Sequence, residues 1–234
     1  MEFMEALPSC NNHGLLAVTV NFQGGSPEGY SKDQPWDNNA FTPKGEIRPD
    51  YLNRMGRVIE KLDELGMVAI LGVFYFFQDE RISDEQGVLR ALDNVGEWIL
   101  GENFRNILLE VNNQCNVKKY EHEVLQPHRI HELIQRVKDC KINGRRLLVG
   151  TSYGGGFVPL ENVVRVSDFL LVHGNGVSDP RRISEMGEES RSVPGYEPKP
   201  ILFNEEDHYD FDQPENNFVA KGASWGIMDI GKSN

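Results

Sequence analysis

The chain has 234 residues, of which 39% are hydrophobic and 26% are charged, and its formal net charge is -12 at pH 7. This composition is ordinary for a globular protein, and the length fits one domain over residues 1–234. The acidic charge argues against a nucleic-acid partner and gives no support to binding at an anionic membrane, because both require a basic face.

Seven apolar segments follow one another along the chain, and most of them are continuous rather than alternating. Continuous segments of this kind are typical of parallel strands that are covered on both faces. The segments are residues 15–22, 67–77, 106–111, 146–150, 168–173, 200–203 and 223–228.

Amphipathic stretches between these segments predict helices, because their apolar residues recur with helical spacing. They cover residues 48–65, 83–100 and 127–140, with shorter candidates at 3–10 and 214–220. Ser83 is the predicted N-cap of the helix over 83–100. Strands that alternate with helices of this length predict an α/β fold.

All seven predicted strands end at or just before side chains that can bind a ligand: amides, carboxylates, aromatic rings and a histidine. In a barrel of parallel strands, the carboxyl ends meet at one mouth, where active sites form. Polar residues that merely terminate strands would explain one or two such ends but not seven. Amides that bond hydroxyls, together with aromatic faces that stack on rings, suit a sugar ligand.

Two strand ends carry a family resemblance. The segment NILLEVNNQ ends in Asn113 and Gln114, and the segment PILFNE ends in Glu205. In this order they resemble the fourth and seventh strands of the clan A glycoside hydrolases, most closely family 5, which includes cellulases and mannanases. The resemblance implies an eight-stranded β/α (TIM-type) barrel and a retaining mechanism on β-glucan or β-mannan. It implies Glu205 as the nucleophile and places Gln114 at the acid/base position.

The same resemblance implies several sugar-binding residues. The segment VHGNG is similar to the sixth strand, with His173 near the nucleophile, and ASW is similar to the eighth, with Trp225 as the sugar platform. Asn113 would bond the sugar 2-hydroxyl. Further subsite candidates at or near the strand ends are Tyr75, Gln78, Trp36 and Tyr153.

The sequence departs from the family pattern at two places. Gln114 has the shape of a Glu but cannot donate an acidic proton, so we expect an inactive or strongly impaired form, whether engineered or a natural sugar-binding pseudoenzyme. Little sequence precedes His13, so we expect a barrel of seven strands without the first. The open edge would be covered by a homodimer or by a local segment.

A serine hydrolase is the main alternative interpretation. The segment GTSYG matches the G-x-S-x-G pattern after a predicted strand, with Ser152 as nucleophile and Asp168 or Asp179 and His208 following in the usual order. The pattern requires a helix directly after the serine, and two further glycines and Pro159 make a poor helix start.

Other features of the sequence exclude or weaken further classes of function. Carboxylates are dense over residues 205–212, but the spacing of a calcium loop is absent, and we expect neither a metal nor a cofactor. Cys10, Cys115 and Cys140 are odd in number and widely spaced, which fits reduced thiols. No apolar run reaches about 18 residues, as a membrane span requires. An acidic N-terminus predicts a cytoplasmic location if Met1 is the native start.

Overall fold

The structure is a computed structural model, and it describes residues 2–24, 38–206 and 222–227. The helix predicted at 214–220 lies outside these residues. The described strands are β1 Ala17–Asn21, β2 Val68–Phe74, β3 Ile107–Asn112, β4 Leu148–Gly150, β5 Leu170–His173, β6 Ile201–Glu206 and β7 Ser224–Ile227. The described α-helices are α1 Glu2–Asn12, α2 Pro49–Glu64, α3 Glu85–Gly101, α4 Ile130–Asp139, α5 Glu161–Val166 and α6 Pro180–Ser192.

The strands form two parallel sheets in chain order, β1-β2-β3-β4 and β5-β6-β7. An isolated parallel bridge between Ser152 and Leu171 continues the order from one sheet to the next. The predicted α/β barrel with seven recognisable strands is therefore confirmed. Within the described residues β1 pairs only with β2 and β7 only with β6, so these strands do not close the barrel.

The helices form where the sequence supplies caps and an apolar stripe. Helix α2 begins with Pro49 at its first turn, and its buried residues Met55, Ile59 and Leu62 recur at helical spacing. Helix α3 is capped by Asp84, whose Oδ1 accepts a hydrogen bond from Gly87 N at 2.7 Å. The predicted cap at Ser83 is wrong by one residue.

Apolar side chains fill the space on both faces of the strands. The outer clusters lie between strands and helices, as where Val172 and Phe203 pack with Ile183 and Met186 of α6. An inner cluster consists of Ile70, Phe169 and Leu171. Ala17, Leu108 and Leu202, which lie on other strands, pack against it. Residues from five strands thus meet on the inner face, as the interior of a barrel requires.

None of the helices within residues 2–24, 38–206 and 222–227 combines the length and the apolar character needed to cross a bilayer.

Candidate active site

A layer of polar side chains lies above the apolar inner cluster. Glu110, His173 and Asn204 each follow an inner-cluster residue by two positions, after Leu108 on β3, Leu171 on β5 and Leu202 on β6. Alternate residues of a regular strand share a face, so the side chains of Glu110 and His173 belong to the interior face nearer the carboxyl ends. Asn204 lies at an irregularity in the pairing of β5 with β6, where His173 pairs with Glu205.

A glycine on β2 leaves the room that this layer needs. A Cβ atom at Gly72 would lie 1.9 Å from Asn21 Oδ1 and 3.7 Å from Glu110 Oε2. Any larger residue would therefore displace the asparagine, which explains a glycine within an otherwise apolar strand.

Three side chains from different strand ends come together at the centre of the mouth. Gln114 Nε2 lies 3.1 Å from His173 Nδ1 and 3.4 Å from Glu205 Oε2. His173 Nδ1 lies 3.2 Å from the same Glu205 oxygen. The histidine side chain is fully buried and the carboxylate is 15% exposed, so the carboxylate remains accessible to a ligand.

The charge on Glu205 sets the protonation of His173. Burial alone lowers the pKa of His173, but the charge and hydrogen bond of Glu205, helped by the charge of Glu110, outweigh it and raise the pKa above its ordinary value. With its proton on Nδ1, the ring donates to Glu205. Gln114 Nε2 is also a donor, so it then has its partner in Glu205 and not in the ring.

The backbone of Gln114 is held in an unusual conformation. Its φ is +51°, in the left-handed region, where a residue with a side chain costs about 1–2 kcal/mol. Two hydrogen bonds to Ser152 hold it there: Gln114 N donates to Ser152 Oγ at 2.8 Å, and Cys115 N donates to Ser152 O at 2.9 Å. The end of β4 thus fixes the turn that aims the amide at Glu205.

Asn113 lies beside this turn and is also fixed from several sides. Its backbone N donates to Phe74 O at 3.0 Å, and its carbonyl accepts a hydrogen bond from Tyr120 OH at 2.5 Å. Within the described residues, Asn113 Nδ2 is buried and has no hydrogen-bond partner. A buried donor without a partner is costly, so it marks a place where a ligand oxygen would be favourable.

Sequence reasoning missed Glu110, which is 1% exposed in the interior layer. Burial raises its pKa to about 7, against the lowering effect of the His173 charge and of a hydrogen bond with Ser152, while the Glu205 charge raises it further. Its Oε1 has no hydrogen-bond partner in the described part of the chain. A single carboxylate within the apolar run NILLEV was the signal that could have revealed it.

Tyr75 and Gln78, the predicted subsite residues on the loop after β2, lie in different surroundings. Tyr75 is half-buried, and its ring centroid lies 4.6 Å from that of Phe76. Gln78 is fully buried, and its Oε1 accepts a hydrogen bond from Arg81 Nε at 2.9 Å, which ties the side chain to the loop. A sugar-binding role for either residue stays a prediction.

The sugar-binding roles of Tyr153, Trp225 and Trp36 also stay predictions. Tyr153 is 2% exposed, and burial raises the pKa of its phenol. Trp225 is half-buried, pairs in register with Phe203 and packs against the outer cluster next to α6. A platform role would require its ring to reach the mouth as well. Trp36 lies outside the described residues.

The geometry disfavours a serine hydrolase. Ser152 is fully buried, its Oγ accepts from Gln114 N, and the next helix begins only at Glu161. The exposed serine on a strand-to-helix turn that the pattern requires is therefore absent from this stretch. The proposed His208 lies outside the described residues.

No cluster of three metal-ligating side chains occurs within residues 2–24, 38–206 and 222–227. The carboxylate-rich segment at 205–212 is described only as far as Glu206, so the prediction that no metal binds there stays a prediction.

Polar side chains gathered at the carboxyl ends of parallel barrel strands place the chain in the class of β/α-barrel proteins with an enzyme-type mouth. Neither a protein-family model nor a curated protein sequence matches it. Solved structures do match, and those described below are glycoside hydrolases.

Two of the similar structures come from Bacteroides vulgatus. One is assigned to the glycoside hydrolases, with a TM-score of 0.68 and 14% identity, and covers 97% of this chain and 48% of its own. The other belongs to glycoside hydrolase family 5, with a TM-score of 0.66 and 16% identity, and covers 98% of this chain and 56% of its own. This chain therefore spans about half the length of both proteins.

A third similar structure is a variant of a family 5 enzyme from Prevotella bryantii in complex with a xyloglucan tetradecasaccharide. Its TM-score is 0.64 at 10% identity, over 96% of this chain and 78% of its own. At these identities the likeness is one of fold. This chain has the β/α-barrel fold seen in glycoside hydrolase family 5.

Proposed function

We propose that this chain carries the site of a retaining glycoside hydrolase for β-linked glycans of the glucan or mannan type. In this proposal Glu205 is the nucleophile and Gln114 occupies the acid/base position. The contact of Gln114 Nε2 with Glu205 Oε2 at 3.4 Å, at the mouth of a glycoside hydrolase fold, carries the proposal.

The spacing of the two side chains favours retention of configuration. Retaining enzymes hold their two carboxyl groups about 5–5.5 Å apart, whereas inverting enzymes need about 6.5–9.5 Å to admit a water molecule. The nearest atoms of Gln114 and Glu205 lie 3.4 Å apart, so the pair fits the shorter, retaining separation better than the longer one. Glu205 would therefore attack the anomeric carbon directly.

Two neighbours would prepare Glu205 and the sugar for this attack. His173 donates to the carboxylate and is fully buried, so it fixes the carboxylate rotamer. The oxygen of Glu205 that does not face His173 would then be the attacking atom. Asn113 Nδ2, buried without a partner in the described residues, would donate to the sugar 2-hydroxyl.

The amide at position 114 would disable two steps. In the first, the bond between the anomeric carbon and the leaving oxygen breaks, and the leaving oxygen needs a proton that Gln114 cannot give. In the second, water attacks the glycosyl-enzyme and needs a base, which an amide cannot supply. A leaving group that departs as a stable anion bypasses the first requirement, and an anionic nucleophile bypasses the second.

These two requirements define the test. A dinitrophenyl β-glycoside should react with the chain as it stands and release dinitrophenolate, because this leaving group needs no proton. Added azide should then attack the anomeric carbon, break its bond to Glu205, and give a glycosyl azide with the configuration of the substrate. Glu205→Gln should abolish both effects. Azide product formed equally well by Glu205→Gln, or with inverted configuration, would refute the assignment.

A non-catalytic sugar-binding protein is the second candidate, and Gln114 favours it. The same mouth would bind the same glycans without turnover. The azide experiment separates the two candidates, because a pure binding protein forms no glycosyl-enzyme. Calorimetric titration with β-glucan and β-mannan oligosaccharides would measure binding in either case.

A further inference from the structure

Asp79 lies in the loop after β2 and joins this loop to the one after β3. Its side chain is fully buried, and its Oδ2 accepts hydrogen bonds from two successive backbone amides, Glu121 N at 2.8 Å and His122 N at 3.1 Å. Hydrogen bonds to a charged acceptor are roughly twice as strong as those between neutral groups. The carboxylate therefore fixes the backbone that directly follows Tyr120.

Two further hydrogen bonds join the same two loops on either side of Tyr120. Phe77 N donates to Lys119 O at 3.3 Å. His122 Nε2 lies 3.0 Å from Ile82 O, so a proton on this nitrogen is donated to the carbonyl. The side chain of Tyr120 is itself 5% exposed. Its position is therefore set largely from the loop after β2.

The hydroxyl group of Tyr120 reaches back to the mouth of the barrel. It lies 2.5 Å from Asn113 O and 3.4 Å from Phe74 O. A phenol has one proton to donate, and the shorter distance assigns this proton to Asn113 O. This carbonyl belongs to the peptide bond between Asn113 and Gln114. The phenol thus holds the backbone from which both side chains extend.

We infer that Asp79 and Tyr120 form a clamp of two positioning residues. The carboxylate holds the loop, and the phenol holds the Asn113 backbone so that Asn113 Nδ2 stays aimed at the sugar 2-hydroxyl. The inference rests on the proposed function, which gives Asn113 this role. It also explains why a carboxyl group is fully buried in a loop, because a buried charge is costly unless its hydrogen bonds serve the structure around it.

Hydrogen exchange tests the loop half of the clamp without any sugar. Asp79→Ala removes the shared acceptor, so exchange at the backbone amides of Glu121 and His122 should rise about tenfold or more. Asp79→Asn keeps a side-chain oxygen with the same reach, so these amides should exchange at least about threefold more slowly than in Asp79→Ala. Tyr120→Phe leaves both bonds to the carboxylate in place and should change the two rates by less than about twofold.

A second aspartate supplies a matched control. Asp84 Oδ1 accepts from Gly87 N at 2.7 Å, which is the same kind of bond at the cap of α3. Asp84→Ala should speed exchange at Gly87 and leave the two loop amides protected, whereas Asp79→Ala should do the reverse. The rise at the loop amides should also exceed any change at the amide of Leu109 in β3, which reports on the stability of the whole fold.

Substrates with and without the 2-hydroxyl test the half of the clamp at the mouth. Tyr120→Phe keeps the ring and removes only the hydroxyl group. It should lower kcat/KM for a dinitrophenyl β-glycoside about tenfold, because Asn113 then holds the 2-hydroxyl less well in the transition state. With the 2-deoxy analogue the loss should stay within about twofold. Asp79→Ala should show the same pattern, and Asp79→Asn should restore most of the rate.

Several outcomes would overturn the inference. An equal loss on the 2-hydroxy and 2-deoxy substrates would mean that the two residues only stabilise the fold. Unchanged exchange of the loop amides in Asp79→Ala would remove the carboxylate from the clamp. Losses that multiply in the double variant of Asp79→Ala with Tyr120→Phe would mean that the two residues act independently. If the parent chain releases no dinitrophenolate from any glycoside, the proposed function fails, while the exchange rates still decide whether Asp79 holds the loop.

Discussion

Replacing Gln114 by glutamate should create the missing acid/base. The new carboxyl group would lie where Gln114 Nε2 now lies, 3.4 Å from Glu205 Oε2. Two charges at that distance repel by about 5 kcal/mol at an effective dielectric constant of 20, which corresponds to a rise of about 3–4 pKa units. A proton on the nearby His173, whose pKa is raised, would offset part of this rise. The pKa of the new carboxyl group should then lie about 2–3 units above the ordinary value near 4.3.

A carboxyl group with its pKa between about 6 and 7 is protonated often enough at neutral pH to act as an acid, and it is basic enough to activate water afterwards. Positioned acid–base catalysis contributes roughly 10²–10⁴-fold. Gln114→Glu should therefore raise kcat/KM by about that factor on β-glycosides whose leaving group needs a proton, and by far less on dinitrophenyl β-glycosides.

The assay is hydrolysis of a panel of β-glucans, β-mannans and aryl β-glycosides. Release of reducing sugar measures the rate on the glycans, and the aryl glycosides show how the rate changes with the pKa of the leaving group. Gln86→Glu is the matched control, because it makes the same chemical change at an exposed position in the first turn of α3. Equal, poor hydrolysis of the whole panel by Gln114→Glu, Gln86→Glu and the parent chain would refute the assignment of position 114.

Three further predictions concern stability and assembly. Asp84→Ala should cost about 1 kcal/mol of unfolding free energy through loss of the α3 cap, whereas Ser83→Ala should change the urea midpoint little; the reverse order would restore Ser83 as the cap. The pKa of Glu110 is raised to about 7 in the fold, so stability should fall by up to about 3 kcal/mol as pH rises from near 4.3 to 7. Glu110→Gln should remove that part of the slope in pH-dependent urea titrations, and an unchanged slope would contradict the raised pKa. The β1 edge and the exposed Leu16 should be covered by a homodimer; a monomer mass at every concentration in light scattering would rule this out.

The strands could be predicted from the sequence because each is a continuous apolar run, and their order follows from the short connections of a β/α fold. The approach of Gln114 and Glu205 could be predicted for the same reason, since parallel strands end at one mouth. The sequence alone could not predict whether Ser83 or Asp84 caps α3, because both residue types are good caps. Only the backbone decides which side chain reaches the Gly87 amide.

The interior could not be predicted for a different reason. The carboxylate of Glu110 follows the same two-residue period as its apolar neighbours, so its position on the inner face is visible only once the neighbouring strands are placed around β3. The position of Glu205 depends on an irregularity of β6, because the register of β6 shifts after Phe203 against both β5 and β7. A shift of one residue moves a side chain to the other face of the sheet, and no periodic pattern in the sequence records it.

A glutamate at position 114 should also lower the stability of the fold, and this loss can be measured. The amide of Gln114 donates to Glu205, whereas a carboxylate there would repel it. In Gln114→Glu, the folded state would hold the new proton more tightly than the unfolded chain does. The sign follows from proton binding: between the unfolded pKa near 4.3 and a folded pKa of about 6–7, the folded state binds more protons, so stability falls as pH rises.

A shift of about 2–3 units corresponds to about 3–4 kcal/mol, and thus to a drop of roughly 6–16 °C in Tm between pH 4.5 and 7.5 relative to the parent chain. Gln86→Glu should show no such drop, because its carboxyl group would be exposed. Scanning calorimetry across this pH range measures the difference. A Tm difference between Gln114→Glu and the parent that stays constant with pH would mean that the new carboxyl group does not feel the charge of Glu205. The two strand ends would then not form one catalytic pair.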